Sequence, residues 1–154
     1  MIGKIINERH SVRKYQKEEI PDEVVRKITY LASKAPSAGG LKSYTVFVAK
    51  GKDVKELAKL AHHQNWIANA SLIFVICIDP QRSGKRYGNR GKELYCIQDA
   101  TLHGAYLDLL FVSRGYGTCW VGAFDENKVR EYLSLPNYLI PISFLVVGKK
   151  YVVK

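Results

Sequence analysis

The sequence is short of acidic residues. It has 24 lysines and arginines against 14 aspartates and glutamates, which gives a formal net charge of +10 over 154 residues. A positive field attracts nucleic acid, phosphorylated cofactors or anionic substrates, and it also keeps a protein in solution. The charge therefore leaves several classes of partner open.

Cysteine is also scarce, and its spacing excludes two common frameworks. Cys77, Cys96 and Cys119 are odd in number, lie far apart and form no C-x-x-C pair, which argues against disulfides and against a zinc site. Each lies among apolar residues, which predicts small buried thiols. The adjacent His62 and His63 would point apart on a helix and have no third ligand nearby in sequence, so we expect no metal site.

The chain has no long apolar run. Its most apolar segment, Leu72–Ile78, has the length of a buried strand and not the ~20 residues of a membrane span. The N-terminus has no apolar run of signal-peptide length. These features predict a soluble cytoplasmic protein with no membrane partner.

The glycine motifs of two nucleotide-binding folds are missing as well. A P-loop ending at Gly91 and Lys92 would need other residues in place of Arg86 and Glu93, and no G-x-G-x-x-G follows a predicted strand. Residues 80–92 are instead predicted to form a basic loop with solvated arginines. No nucleophile elbow or favoured carboxylate pair indicates covalent or acid–base catalysis.

The apolar periodicity predicts one domain, residues 1–154, built as an α/β sandwich around a central sheet. The predicted long helix, from about Glu93 to Arg114, is apolar on more than one side, so we expect it to be buried within the domain or between subunits. Gly115 would end it. The other predicted helices are 2–9, one beginning at Pro21-Asp22, 52–63 and 125–135, and the predicted strands are 44–49, 71–79, 118–124 and 142–148.

One short segment near the N-terminus concentrates groups that bind anions. Arg9, Ser11 and Arg13 alternate just after the first predicted helix. Guanidinium groups bind phosphate in a bidentate manner, and a serine hydroxyl can complete the cradle. A solvated run of charges is nevertheless the simpler interpretation of this segment by itself.

Four segments occur in an order that changes this balance: "RHSVRKY", "APSAGGLK", "LYCIQDATLHGAYLDLL" and "GYGTCWVGAF". Together they resemble the flavin-dependent nitroreductase family, over nearly the whole chain from Ile6 to Gly148. The resemblance implies an α+β fold with a mainly antiparallel sheet, a homodimer with a buried long helix, and FMN in two clefts between the subunits. It also implies NAD(P)H as reductant, and a nitro compound, quinone or similar acceptor that takes hydride through flavin N5 in a ping-pong cycle.

The same resemblance assigns residues to the cofactor. Arg9 and Ser11 would hold the phosphate and ribityl chain, His10 would line the same strip, and Arg13 would stabilise negative charge at the pyrimidine edge of the reduced flavin. No residue is expected to act as an acid or base. The remaining implied contacts are Pro36, Ser37, Ala38, Gly39 and Leu41 from the other subunit, Val121, Gly122 and Ala123 near N5, and Lys149 or Lys150 at the phosphate.

The sequence departs from the family pattern at a few positions. Gly40 stands where many relatives have Asn, and Ala123 replaces a frequent glycine. Trp66 or a neighbour lies where some relatives have a basic residue, and could shape a substrate pocket. The chain ends at Lys154 with little of the C-terminal arm of longer relatives, so we expect the dimer to rest mainly on the long helix.

Two alternatives belong to other functional classes. A basic nucleic-acid-binding domain would use Arg82, Lys85, Arg86, Arg90 and Lys92, although no recognised reading motif accompanies them. A flavin-binding protein without turnover is the other. The patterns do not indicate the physiological acceptor or the choice between NADH and NADPH.

Overall fold

The computed structural model describes residues 1–153 and contains a five-stranded sheet with helices on both faces. The helices are α1 (Ile2–Glu8), α2 (Asp22–Ala32), α3 (Lys52–Leu60), α4 (Pro80–Arg90), α5 (Cys96–Ser113) and α6 (Glu126–Tyr132). The strands are β1 (Tyr15–Gln16), β2 (Tyr44–Lys50), β3 (Leu72–Ile78), β4 (Tyr116–Val121) and β5 (Ile140–Lys150). Short 3₁₀ turns cover Ala38–Gly40 and Asn65–Asn69.

The sheet is antiparallel at every strand pair, as the resemblance implies. β5 is the central strand: it pairs with β3 and β1 on one side and with β4 on the other, and β2 pairs with β3. All seven residues of β3 are buried, because helices cover both of its faces.

The alternation of side chains along β3 and β5 divides the interior into two cores. Ile73 and Val75 point to the face covered by α3 and α6, and Phe74 and Ile76 point to the face covered by α2 and α5. The three cysteines are buried, as predicted. Burial raises the pKa of the Cys77 thiol to about 12, so this thiol is protonated at neutral pH.

The prediction of a loop at residues 80–92 is wrong, because this segment forms α4. Asp79 caps the helix by accepting a hydrogen bond from the Arg82 backbone N–H at 3.0 Å, and Pro80 occupies its first turn. A π-helical turn, Gly91–Tyr95, then continues directly into α5. The two-residue strand β1 was also not predicted.

The long helix α5 has two different faces. Its inner face is buried against the sheet and α2, with Cys96, Ala100, Leu107 and Phe111 in the core. Its outer face carries apolar side chains that are about two-fifths exposed, namely Ile97, Leu102 and Tyr106. The inner face is therefore buried within the domain, as one of the two predicted alternatives states. The outer face is not buried by the rest of the chain.

A pair of glycines lets the N-terminal segment cross the sheet. Gly117 of β4 and Gly148 of β5 are directly paired. A Cβ at Gly117 would lie 2.8 Å from Val12 Cγ1, and a Cβ at Gly148 would lie 2.7 Å from Tyr15 Cδ1. Residues 12–15 therefore pass over this pair at a distance that only glycine permits, which fixes the position of Arg13 between them.

We expect Gly148→Ala to lower the free energy of unfolding by about 1–3 kcal/mol, because the buried Tyr15 ring would have to move. Tyr15 donates a hydrogen bond to the Val12 carbonyl at 2.5 Å, so the displacement would extend into the crossing segment. Urea unfolding measures the change. Gly3→Ala is the control, since a Cβ there meets no atom within 4 Å; equal stability of Gly148→Ala and the parent chain would contradict this packing.

Candidate functional site

The segment that begins at Arg9 meets the outer edge of β4 at Ser11 and Val12, where residues 12–15 begin to cross the sheet. Ser11 forms a parallel bridge with Thr118, and the Val12 N–H donates to the Thr118 carbonyl at 2.8 Å. These backbone contacts hold Ser11 and His10 at the surface, where both are exposed. The predicted anion-binding strip is therefore an ordered edge segment and not a free run of charges.

Arg13 lies over an aromatic side chain that comes from another part of the chain. Its guanidinium carbon is 5.9 Å from the centre of the Trp66 ring, and Trp66 in turn packs against Tyr15 at 6.2 Å between ring centres. A guanidinium over an aromatic face is held in orientation while its N–H edges stay available. Trp66, noted in the sequence as a departure, thus supports Arg13.

A partly buried carboxyl group faces the other end of the strip. Asp108 of α5 accepts a hydrogen bond from the Thr118 hydroxyl at 2.5 Å. Burial raises the pKa of Asp108, whereas the Thr118 hydrogen bond and the positive charge of Arg9 act in the opposite direction. Asp108 is thus fixed by the Thr118 hydroxyl, and Arg9 forms no ion pair with it within residues 1–153.

The two lysines predicted at the phosphate lie where β5 passes β4 and β1. Lys149 pairs with Tyr116 of β4, and Lys150 pairs with Tyr15 of β1. The Lys149 ammonium is 3.4 Å from the Glu18 carboxylate, whereas Lys150 has no ion pair within residues 1–153. Lys150 is therefore the uncompensated charge of the two.

The segment 121–123 lies at the opposite end of β4. Val121 is buried, and the Ala123 carbonyl accepts from the His62 N–H at 3.2 Å and from the Gln64 side-chain amide at 3.1 Å. Gly122 is exposed, and a Cβ on it would meet no atom within 4 Å. The backbone at Gly122 is therefore open to close approach by a flat ring.

The loop at residues 36–41 is fixed to the first half of α5 by a buried carboxylate. Asp99, which is 2% exposed, accepts from the Ala38 N–H at 2.9 Å and from the Ser43 N–H at 3.3 Å. One turn further, the His103 ring nitrogen Nδ1 is 3.2 Å from the Ala32 carbonyl, and burial lowers the pKa of this histidine. The helix thus holds the chain on both sides of the loop.

One protomer assembles only part of the predicted site. It brings together residues 9–13, β4 and the end of β5, near Asp108. The loop is held at Asp99, nine positions earlier on α5, which corresponds to about 14 Å of helix. The groove of 560 Å³ beside Pro36, Ser37 and Ala38 is lined by the loop, Tyr95 and α5, and by none of residues 9–13 or 121–123.

Asp99 and Asp108 were not predicted as site residues. Both are single carboxylates in an otherwise apolar stretch of helix, and this was the signal that the sequence contained. A buried carboxylate needs hydrogen-bond donors, so each indicates a chain segment fixed against the helix. Which segment each one holds depends on tertiary contacts that sequence spacing does not contain.

No helix within residues 1–153 is both long enough and apolar enough to cross a bilayer. In the same part of the chain, no group of three or more His, Cys, Asp or Glu side chains is arranged to hold a metal ion.

Comparison with solved structures shows the same fold in several bacterial proteins. A nitroreductase family protein from Clostridium novyi NT has a TM-score of 0.88 at 24% identity, and the match covers 98% of this chain and 86% of that one. An FMN-dependent nitroreductase from Clostridium difficile R20291 has a TM-score of 0.83 at 26% identity, with 100% and 90% coverage.

Comparison of sequences gives the same result. An NADPH-dependent oxidoreductase from Staphylococcus aureus (strain USA300) is 25% identical over 158 residues, which is 94% of this chain but 63% of the relative. The chain thus spans less than two thirds of the length of this curated relative. The family model described as "Nitroreductase family" matches residues 6–76 and 59–149. With the fold and nearly the whole sequence in agreement, the chain belongs to the nitroreductase family.

Proposed function

We propose that this protein is an FMN-dependent oxidoreductase, a homodimer that uses NAD(P)H to reduce a nitro compound, quinone or similar acceptor. The observation that carries the proposal lies at β4, where Ser11 bridges Thr118 within the strand and the open backbone of Gly122 follows its far end. Thr118 and Gly122 are four residues apart, about 13 Å along an extended chain, which suits an elongated cofactor with a charged tail and a flat ring.

The residues present fit this group. Arg9, Ser11 and the uncompensated Lys150 offer a cationic, hydrogen-bonding end for a phosphate. Gly122 offers backbone without a side chain where a ring would approach. When bound, FMN would supply the chemistry of accepting a hydride from the reductant and passing it to the acceptor.

In this arrangement the protein provides binding and electrostatics and no proton-transfer group. Arg13, oriented by Trp66, would place a fixed cation beside the pyrimidine edge and stabilise the negative charge that reduction adds there. Asp108, through its hydrogen bond with Thr118, would help to fix the strand that Ser11 bridges. With no side chain at Gly122, the site would leave room for reductant and acceptor to approach in turn, as a ping-pong cycle requires.

Two observations support a site shared by two subunits. The loop at 36–41 lies at the other half of α5 from the phosphate strip, so a second copy is needed to bring a loop over the ring. The outer face of α5 and helix α1 also expose apolar side chains, among them Ile2, Ile6, Leu102 and Tyr106. An apolar surface of this kind is typical of a subunit interface.

Turnover tests the proposal directly. The purified protein, supplied with FMN, should retain a yellow chromophore that NADPH or NADH bleaches and that a quinone restores. A protein that retains FMN without bleaching would be a flavin-binding module, and one that retains no FMN would contradict the proposal.

The two arginines should behave differently when each is replaced by alanine. Arg9→Ala removes a charge-assisted phosphate contact, so FMN should bind about 10- to 100-fold more weakly. Arg13→Ala should lower the flavin midpoint potential by about 30 mV, the equivalent of ~1.4 kcal/mol for two electrons, and slow reduction. Fluorescence titration and spectroelectrochemistry measure the two quantities.

The assigned roles would be contradicted if Arg9→Ala changed the potential and Arg13→Ala changed the FMN affinity. They would also be contradicted if neither variant changed either quantity. Lys55→Ala, which removes a positive charge from the exposed side of α3, is the control and should leave both quantities unchanged.

Replacing Asp99 by asparagine should loosen the loop. An amide has one acceptor oxygen where the carboxylate has two, so the Ala38 or the Ser43 N–H would lose its partner, at a cost of about 1–3 kcal/mol. Hydrogen exchange at residues 36–43 should accelerate and FMN should bind more weakly. Glu93→Gln is the control, because it removes the charge of an exposed carboxylate just before α5. Unchanged hydrogen exchange at residues 36–43 in Asp99→Asn would contradict the role of Asp99.

A further inference from the structure

The basic segment at residues 80–92 has no part in the site described so far. It contains Arg82, Lys85, Arg86, Arg90 and Lys92 and no carboxylate. Arg82 is already engaged, because it lies 3.4 Å from Asp79 and donates to the Lys42 carbonyl at 2.8 Å. Within residues 1–153, Lys85, Arg86 and Arg90 form no ion pair.

Two of these arginines are held by two tyrosines that contact each other. The Arg86 guanidinium lies 5.4 Å from the centre of the Tyr87 ring, and that of Arg90 lies 5.6 Å from the centre of the Tyr95 ring. The rings meet edge to face at 5.1 Å, and Arg90 Nε donates to the Tyr95 hydroxyl at 3.1 Å. We call Arg86, Tyr87, Arg90 and Tyr95 the arginine–tyrosine rim.

The rim borders the loop that would cover the flavin. Gly39 of the loop has a φ of 59°, a left-handed conformation suited to glycine. A Cβ at Gly39 would collide with the Tyr87 hydroxyl and lie 2.8 Å from a guanidinium nitrogen of Arg86. Tyr95 also lines the groove beside Pro36 and Ala38. A ligand that reaches the loop therefore has the rim at its outer end.

We propose that the arginine–tyrosine rim binds the 2′-phosphate that distinguishes NADPH from NADH, and so gives the protein a preference for NADPH. This inference rests on the proposed function, because it takes a reduced nicotinamide as the ligand that approaches the loop. A phosphate monoester is a dianion at neutral pH, and the planar guanidinium fork matches its oxygens. Arg86 is the principal contact, since Arg90 is already hydrogen-bonded to Tyr95.

The neighbouring groove does not extend this site. Its wall of Ile97 and Leu102 belongs to the outer face of α5, which the proposed dimer would cover. The ligand would therefore meet the chain at the rim and at the loop beside it.

Binding of two adenosine nucleotides to the full chain tests the proposal without any turnover. Adenosine 2′,5′-bisphosphate carries the distinguishing phosphate and 5′-AMP lacks it, and calorimetric titration should show tighter binding of the bisphosphate. Arg86→Ala should weaken bisphosphate binding about tenfold and 5′-AMP binding less than twofold, because one charge-assisted contact is lost. Arg86→Lys should fall between, since it keeps the charge without the fork.

Lys55→Ala removes the same charge at a distant surface and should bind both nucleotides as the parent does. In steady-state assays, Arg86→Ala should reduce kcat/KM for NADPH by the same factor and leave kcat/KM for NADH unchanged. Equal affinity of the parent chain for the two nucleotides would overturn the proposal. The proposal would also be overturned if Arg86→Ala preferred the bisphosphate over 5′-AMP as strongly as the parent chain does. The same holds if Arg86→Ala weakened binding to duplex DNA and left the binding of both nucleotides unchanged.

The outcomes separate this inference from the proposed function. If the chain prefers the bisphosphate but retains no FMN, the role of the rim is supported and the proposed oxidoreductase function is contradicted. If NADH and NADPH reduce the bound flavin equally well and the chain does not prefer the bisphosphate, the oxidoreductase function is supported and the role of the rim is overturned.

Discussion

The packing of α5 against the sheet is the constraint on which the rest of the structure depends. Its inner face fills one of the two cores, through side chains such as Leu107 and Phe111 that are fully buried. Two carboxylates on this helix then fix separate parts of the chain: Asp99 holds the loop at 36–41, and Asp108 accepts a hydrogen bond from Thr118, the residue that Ser11 bridges. A shift of α5 would therefore displace both parts of the proposed site together.

This arrangement explains why the phosphate strip and the loop belong to one site but lie apart in one protomer. The helix keeps them about nine residues apart, and its exposed outer face, with Leu102 and Tyr106, is available to a second copy. In the proposed dimer the same helix would both position the two half-sites and join the subunits. These two roles would explain why α5 has apolar side chains on more than one of its sides.

The sequence predicted most elements because their apolar residues recur with the period of the structure they form. β3 and α5 are the clearest cases, as both are long, apolar and bounded by turn residues. Helix α4 was missed because its glycines and charges mask the helical pattern, although Asp79 and Pro80 form a recognisable start. The π-helical turn that joins α4 to α5 depends on close packing, since a Cβ at Gly91 would lie 2.5 Å from the Ser83 carbonyl oxygen.

The candidate site was predicted from ordered motifs and not from periodicity. The structure places Ser11 on the edge of β4 and Arg13 where the chain crosses the sheet beside Trp66, an arrangement that spacing alone did not distinguish from a solvated run. The supports of that segment, namely Trp66 beneath Arg13 and the glycine pair beneath Val12 and Tyr15, come from distant parts of the chain. Contacts between such distant residues follow from the fold and leave no local pattern.

The most direct measurement is sedimentation of the purified chain with FMN, recorded at the absorbance of the flavin and at that of the protein. A site completed by two subunits predicts that flavin sediments with the dimer alone, at one FMN per chain. Flavin that sediments with a monomer, or that does not sediment with the protein at all, would contradict the account.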